Sequence, residues 1–232
     1  MITSRANEKL KLVRRLGSRR QRERLGLFVC EGEDLVDAAR RGGVEPVELL
    51  VAGENVEPAL LAGVSSLSHP PRMIGIFRRS DLPRREPPAT GLALWRVGDP
   101  GNVGTLIRSA DALGPAFVAL SSGSADPTGP KALRASMGAI FRVPLIGFEE
   151  APRPWVALVP RGGHALAGEE GTLVLGSERE GLPDEVLSRC DELATIPLAA
   201  GAESLNVAMA GTIALYESSR RRAIQTLSSP PS

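Results

Sequence analysis

Apolar positions along this chain fall in short runs that switch between the period of a strand and that of a helix. Residues 25–30 (Leu-Gly-Leu-Phe-Val-Cys) read as a strand, and residues 33–41 as a helix that Gly42-Gly43 stops. Residues 47–52 and 72–77 read as two more strands, with a short helix over 58–62 between them. Ahead of these, residues 5–24 read as a basic helical arm whose buried edge is Leu10, Val13 and Leu16, with a stop near Gly17. Strands alternating with helices predict a small α/β domain over residues 1–77.

Residues 78–90 break this pattern: Pro83, Pro87 and Pro88 stand among Arg, Asp and Glu, which is the composition of a linker. A second α/β series follows over 91–223, with strands predicted at 92–97, 116–120, 142–146, 156–159, 172–175 and 195–198. Between them lie helices at 103–113, 131–137 and 183–190, the last with Pro183 at its first position. The final long helix is predicted to start at Ser204. Its residues Leu205, Ala208, Met209, Thr212, Ile213 and Tyr216 recur at three and four, which predicts one buried face. Residues 224–232, rich in Ser and Pro, are predicted to form a disordered tail.

Composition narrows the class. A chain of 232 residues, 42% hydrophobic and 24% charged, has room for one large or two modest globular domains. No apolar run approaches the ~18 residues of a membrane span, and no signal peptide is read at the N-terminus. Cys30 and Cys190 stand far apart without metal-ligand spacing, which predicts a reduced, cytoplasmic protein with neither disulfide nor zinc. With His69 and His164 as the only histidines, His-based triads and His metal clusters are excluded.

Charge is uneven. Between Arg5 and Arg24 nine basic residues face only Glu8 and Glu23, a surplus of seven, so the rest of the chain must be net negative for the total to be +1. Such an arm suits a phosphate backbone, and a merely solvated helix face is the alternative. Aromatic content of 3% argues against a base-stacking platform.

Three loops of small residues follow three predicted strands, and such loops gather at the carboxyl edge of a parallel sheet, where ligands bind. The first, Asp99-Pro100-Gly101-Asn102-Val103-Gly104, runs into the helix carrying Arg108; Asn102 reads either as an N-cap or as a site residue. In the second, Leu175-Gly176-Ser177-Glu178-Arg179-Glu180-Gly181-Leu182, Gly176 would let a ligand approach the backbone, and Glu178 is either a cap or an acceptor for a buried donor. The third runs from Ile196 through Ala200-Gly201 to Glu203-Ser204-Leu205-Asn206, where Ser204 and Asn206 either cap a helix or meet a ligand at its free N–H groups. None is a GxGxxG or Walker loop, so dinucleotide and triphosphate binding are not indicated.

Taken in order, Asn102-x-Gly104-x-x-x-Arg108, Leu175-Gly176-Ser177-Glu178-x-x-Gly181 and Ile196-Pro197 ahead of Glu203-Ser204-Leu205-Asn206-Val207 resemble the three signature motifs of the SpoU/TrmH family of RNA ribose 2′-O-methyltransferases. Pro130-Lys131-Ala132-Leu133-Arg134-Ala135-Ser136-Met137-Gly138-Ala139, with Phe141-Arg142-Val143-Pro144 behind it, also looks like that family. Residues 1–77 more loosely resemble its ribosomal-protein-like substrate-binding domain. The resemblance implies an α/β domain of the SPOUT type with a deep trefoil knot, a topology periodicity does not predict. It implies S-adenosyl-L-methionine as cofactor, contacted by Gly176, Ile196 and Leu205 largely through backbone, with Leu175 and Leu198 as apolar neighbours. It implies a homodimer formed through the first-motif helix and the C-terminal helix, with no metal.

The resemblance also implies the catalytic set. Arg108 would activate the ribose hydroxyl, and Asn102, Glu178, Ser204 and Asn206 would orient Arg108 and the ribose. A guanidinium stays protonated in proteins, so a cation that clamps the adjacent phosphate and lowers the hydroxyl's pKa is physically easier than a general base. Arg14, Arg15, Arg19, Arg20, Lys131 and Arg134 are the candidate RNA contacts. The expected substrate is ribosomal RNA. Transfer RNA and a non-catalytic RNA-binding assembly factor are the alternatives. One departure is that many relatives have Gly where this chain has Ala200, with Gly201 following.

Overall fold

In the computed structural model, which describes residues 1–228, the chain builds two sheets. The N-terminal one forms from α1 (Glu8–Leu16), α2 (Arg19–Leu25), β1 (Leu27–Glu31), α3 (Glu33–Arg41), β2 (Glu48–Val51), α4 (Pro58–Ala62) and β3 (Met73–Arg78), in strand order β1-β3-β2. Both pairings are antiparallel. The basic arm is two helices rather than one: Gly17 closes α1, its N–H donating to the Arg14 carbonyl and that of Ser18 to the Arg15 carbonyl, and Ser18 is extended before α2 begins. Leu10, Val13 and Leu16 are buried as predicted, against Ile74, Ile76 and Leu61.

The C-terminal sheet forms from β4 (Gly91–Leu94), α5 (Pro100–Ala112), β5 (Phe117–Leu120), α6 (Pro130–Ser136), β6 (Leu145–Gly147), β7 (Trp155–Leu158), β8 (His164–Ala165), β9 (Thr172–Leu175), α7 (Asp184–Leu187), β10 (Glu192–Thr195) and α8 (Val207–Ser228). Its strand order is β6-β5-β4-β9-β7-β10-β8, and every neighbouring pair is parallel. The central strands β4 and β9 are buried at every position, as a sheet covered on both faces requires.

Several expectations are corrected. The strand expected at 195–198 lies at Glu192–Thr195, leaving Ile196 to Leu198 as loop. The strand expected at 142–146 starts only at Leu145, because a 3-10 turn (Ala139–Phe141) occupies the chain before it. α7 spans only Asp184–Leu187, with Pro183 extended ahead of it rather than helical. The two-residue β8 has no apolar alternation to announce it. α8 starts at Val207, not Ser204, and it continues through residues 224–228, so that part of the tail expected to be disordered is helical. Residues 229–232 of that expectation lie outside the described residues.

The predicted buried face of α8 is the larger correction. Ala208 is buried, but Met209 is 62% exposed and Tyr216 53%, and Leu205 and Ile213 are also exposed. The helix instead buries Val207, Ala208, Ala214 and Leu215. Its small residues set this choice. Gly211 lies so close to the Leu106 side chain of α5 that a Cβ there would stand 2.5 Å from it. The Ser109 and Thr212 hydroxyls meet at 2.7 Å along the same contact.

The two sheets share one interior. Phe28 and Phe77 of the N-terminal sheet stack on each other at a centroid separation of 5.8 Å, and both pack on Phe141, from the 3-10 turn of the C-terminal part, at 6.2 and 5.6 Å. Arg22 of the basic arm, a stretch read as suited to a phosphate backbone, is only 5% exposed. Its Nε donates to Asp126 Oδ2 at 2.8 Å, and its Nη1 donates to the carbonyls of Leu16 and Gly17. Arg79, in the stretch read as a linker, donates from Nη1 to Asp126 Oδ1 (3.2 Å) and to the Thr128 hydroxyl (3.0 Å). Burial pushes the Asp126 carboxyl up, but hydrogen bonds from Thr128 and the charges of Arg79 and Arg22 outweigh it and leave the pKa lowered.

Candidate active site

In the parallel sheet β4 connects towards β5 on one side while its other neighbour, β9, leads on to β10 at the far side. A crevice at the carboxyl ends of such diverging strands is where α/β sheets bind ligands. The loops following β4, β9 and β10 are the three singled out from the sequence, and they meet there.

Asp99, not Asn102, caps α5. Its Oδ1 accepts from the N–H groups of Gly101 (2.6 Å) and Asn102 (3.1 Å), and its Oδ2 accepts from Lys131 Nζ at 2.7 Å. That hydrogen bond from Lys131 is the main cause of the lowered Asp99 pKa. With capping supplied by Asp99, the Asn102 side chain is left to bridge the other two loops. Its Nδ2 donates to Glu178 Oε1 at 3.0 Å, and its Oδ1 accepts from Asn206 Nδ2 at 3.3 Å. Glu178 also accepts from the N–H groups of Gly98 and Asp99, both at 3.1 Å. Asn206 in turn caps α8, its Oδ1 accepting from Ala208 N (2.9 Å) and Met209 N (3.3 Å). The capping and site readings of Asn206 are therefore compatible. Ser204 does not cap and has no hydrogen bond among the described residues.

Burial pushes the Glu178 carboxyl up, but the hydrogen bonds from Asn102 and from the backbone of its own loop, Asp99 and Gly98 more than offset it and lower the pKa. No cation pairs with this carboxylate among the described residues. It is a negative charge held by dipoles alone.

Beside it opens a cleft of about 720 Å³. Leu175, Gly176, Ile196, Leu198 and Leu205 all line it, as do Glu178, Ser204 and Asn206. Asn102 reaches it through Glu178 and Asn206. Arg108 does not line it: the side chain lies on the exposed face of α5 with no hydrogen bond or ion pair among the described residues. The sequence reading missed the wall supplied by the end of β7 and its loop, Leu158, Val159, Pro160 and Arg161. The signal was present, since that strand ends at the same sheet edge.

Two glycines in these loops have specific reasons. A Cβ on Gly176 would stand 2.1 Å from the Gly181 carbonyl carbon, where Ser177 and Gly181 exchange backbone hydrogen bonds. The glycine is thus demanded by the chain's own return, a reason additional to the ligand approach expected from the sequence. Gly201 has φ +91°, in a turn closed by Ala202 N–H on the Ala199 carbonyl at 3.1 Å. The left-handed residue of this turn is therefore Gly201, and Ala200 needs no special backbone.

Of the candidate RNA contacts, Arg14, Arg15 and Arg20 are exposed on α1 and α2, and Arg134 is exposed on α6. Arg19 binds Glu23 and donates Nη1 to the Ser124 carbonyl at 3.0 Å, which places α2 against the loop leading to α6. Lys131 is exposed but already paired with Asp99.

The sequence profile of the SpoU rRNA methylase family matches residues 89–216, more than half of the chain. The chain belongs to the SpoU rRNA methylase family. Residues 7–74 match the profile of the MRM3-like substrate binding domain. Among relatives of this SpoU protein, the Bacillus subtilis 23S rRNA (guanosine(2553)-2′-O)-methyltransferase RlmP is 31% identical, covering 93% of this chain and 97% of its own. An AdoMet-bound rRNA methyltransferase from Sinorhizobium meliloti superposes with a TM-score of 0.83 at 29% identity, covering 95% and 97% of the two chains. The AviRb methyltransferase of Streptomyces viridochromogenes in complex with AdoMet gives 0.79 at 27%, covering 94% and 98%. Among the described residues no helix is long and apolar enough to cross a membrane, and no group of three or more His, Cys, Asp or Glu could hold a metal ion.

Proposed function

We propose that this chain transfers a methyl group from S-adenosyl-L-methionine to a ribose 2′-hydroxyl of ribosomal RNA. The observation that carries the reading is the junction of the three loops, where Glu178, Asn102 and Asn206 form one hydrogen-bonded relay at the mouth of the cleft. Ribosomal rather than transfer RNA is supported by the names of full-length relatives such as RlmP.

The residues fit the cofactor. The cleft has the size and the apolar lining of a small-molecule site, with Leu175, Ile196, Leu198 and Leu205 for an adenosyl group. Glu178, a carboxylate with no cation partner among the described residues, suits a positively charged ligand. The cofactor supplies an electrophilic methyl on a sulfonium. The chain's own part is positioning and electrostatics. The relay fixes the relative placement of the three loops, and Ser204 offers an uncommitted hydroxyl. With the cofactor held there, its methyl would go to the ribose oxygen, and the 2′-hydroxyl proton would be given up to solvent. A cation beside that oxygen, Arg108, lowers the cost of the developing negative charge.

Arg108 stands outside the cleft of its own chain, and α8 carries exposed Met209, Ile213 and Tyr216. Both features support a homodimer in which the α5 and α8 faces meet a second copy and Arg108 serves a site completed across that contact. The knotted path of the family and a cytoplasmic location belong to the same reading. In Arg108→Ala, methyl transfer to ribosomal RNA is expected to be lost while cofactor binding by calorimetry stays unchanged. Turnover within tenfold of wild type would remove the assigned role. Mapping 2′-O-methylation in total RNA with and without the gene tests the whole reading: one lost ribosomal site supports it, a lost transfer-RNA site moves the substrate, and no lost site favours an assembly factor.

A further inference from the structure

A second cleft, of about 410 Å³, opens on the same carboxyl edge of the parallel sheet, at the end of β5 and against the N-terminal helices. Arg19, Arg79 and Arg84 line it, together with Ser121, Ser122 and Asp126. Its one carboxylate is already saturated. Asp126 accepts from Arg22, from Arg79 and from both the N–H and hydroxyl of Thr128. Two guanidinium groups on one carboxylate leave a surplus positive charge, and it falls on Arg79, the more exposed of the two. Arg79 uses only Nη1 in these bonds. Arg84 lies exposed with no hydrogen bond or ion pair among the described residues, and the Ser122 hydroxyl is likewise exposed without a partner.

A cleft with surplus guanidinium charge and an uncommitted hydroxyl selects an oxyanion. Its position narrows the anion further. β5 and β9 are separated only by β4, so the strand ends at which the two clefts begin lie roughly 10 Å apart at ordinary strand spacing. That is within reach of a nucleotide next to the one whose ribose is being methylated.

We propose that this second cleft is a phosphate subsite that holds the RNA backbone beside the reacting nucleotide, with Arg84 and Arg79 as its cations. It rests on the reading of the chain as an RNA methyltransferase, and it extends the candidate contacts from the surface of the arm to a pocket between the domains. Arg84 is the residue to test, because Arg79 also holds the domains together.

The experiment measures binding of the full chain to a fluorescently labelled, mixed-sequence single-stranded RNA across a series of KCl concentrations. Wild type is compared with Arg84→Ala, Arg84→Glu and a control, Arg41→Ala, which removes an exposed arginine on α3 far along the sequence from this cleft. Arg84→Ala is expected to weaken binding about tenfold and to reduce the slope of log K against log salt by about 0.7, the loss of one phosphate contact. Arg84→Glu is expected to weaken it further, and Arg41→Ala to change neither quantity. S-adenosyl-L-methionine binding, measured by calorimetry, should be the same in all four proteins. Wild-type affinity and slope in both Arg84 variants, or an equal loss in Arg41→Ala, would overturn the subsite while leaving the methyltransferase reading intact. Failure of the wild-type chain to bind either RNA or the cofactor would overturn both.

Discussion

Glu178 and Asp126 are both carboxylates with lowered pKa values that gather donors from distant parts of the chain, yet they do opposite work. Asp126 is buried, and two arginines complete its charge. Glu178 is exposed at the rim of a cleft and is held by amide dipoles with no cation. A compensated, buried ion cluster is a fastener between domains. An uncompensated anion with fixed geometry is prepared for something that arrives. A lowered pKa alone does not tell the two apart. The nature of the partners does.

The comparison can be broken first at Asp126. Removing one member of a buried ion pair strands the others, so Asp126→Ala is expected to cost about 3–5 kcal/mol of stability in urea unfolding. A loss under 1 kcal/mol would show that the cluster is not a fastener. Glu178→Ala should do the reverse. Methyl transfer should fall about 100-fold, while the urea midpoint barely moves, since the carboxylate is exposed; a large stability loss with intact turnover would exchange the two roles. Acid titration sharpens the contrast. Because the folded-state pKa of Asp126 is lowered, its stabilisation is present above the unfolded value near ~3.9 and is lost as pH falls through the folded value. Wild type should therefore lose stability below about pH 4 more steeply than Asp126→Asn does. The smallest effect is expected at the loop that departs from many relatives: Gly201→Ala places a side chain at φ +91° and should cost about 1 kcal/mol, read as a modest loss of cofactor affinity.

Much of this was legible from residues alone. Helices over 33–41 and 58–62 and the strand over 172–175 stand where the pattern put them, because each is bounded by glycine or proline and has one period. What misled was context. α8 is apolar around most of its circumference, and spacing cannot say which side meets α5; the small side did, since Gly211 allows the closest approach. Arg22 looked like one more surface cation in a basic run, and only the fold brings Asp126 to it across 104 residues. At the site, the three loops were readable from their order and small residues, while the cleft-lining leucines came only with the family resemblance those loops carry. The exchange of capping duty from Asn102 to Asp99 was not, because Pro100 leaves either residue able to cap.

Phe28, Phe77 and Phe141 are one another's packing partners, so neither sheet owns a finished interior. This bears on ancestry as much as on stability. A recombination event that traded the front sheet for another would bare Phe141 unless the incoming piece carried a surface shaped to it. The two parts of the chain are therefore bound to drift as partners, each substitution at the aromatic seam being judged by the residues on its far side.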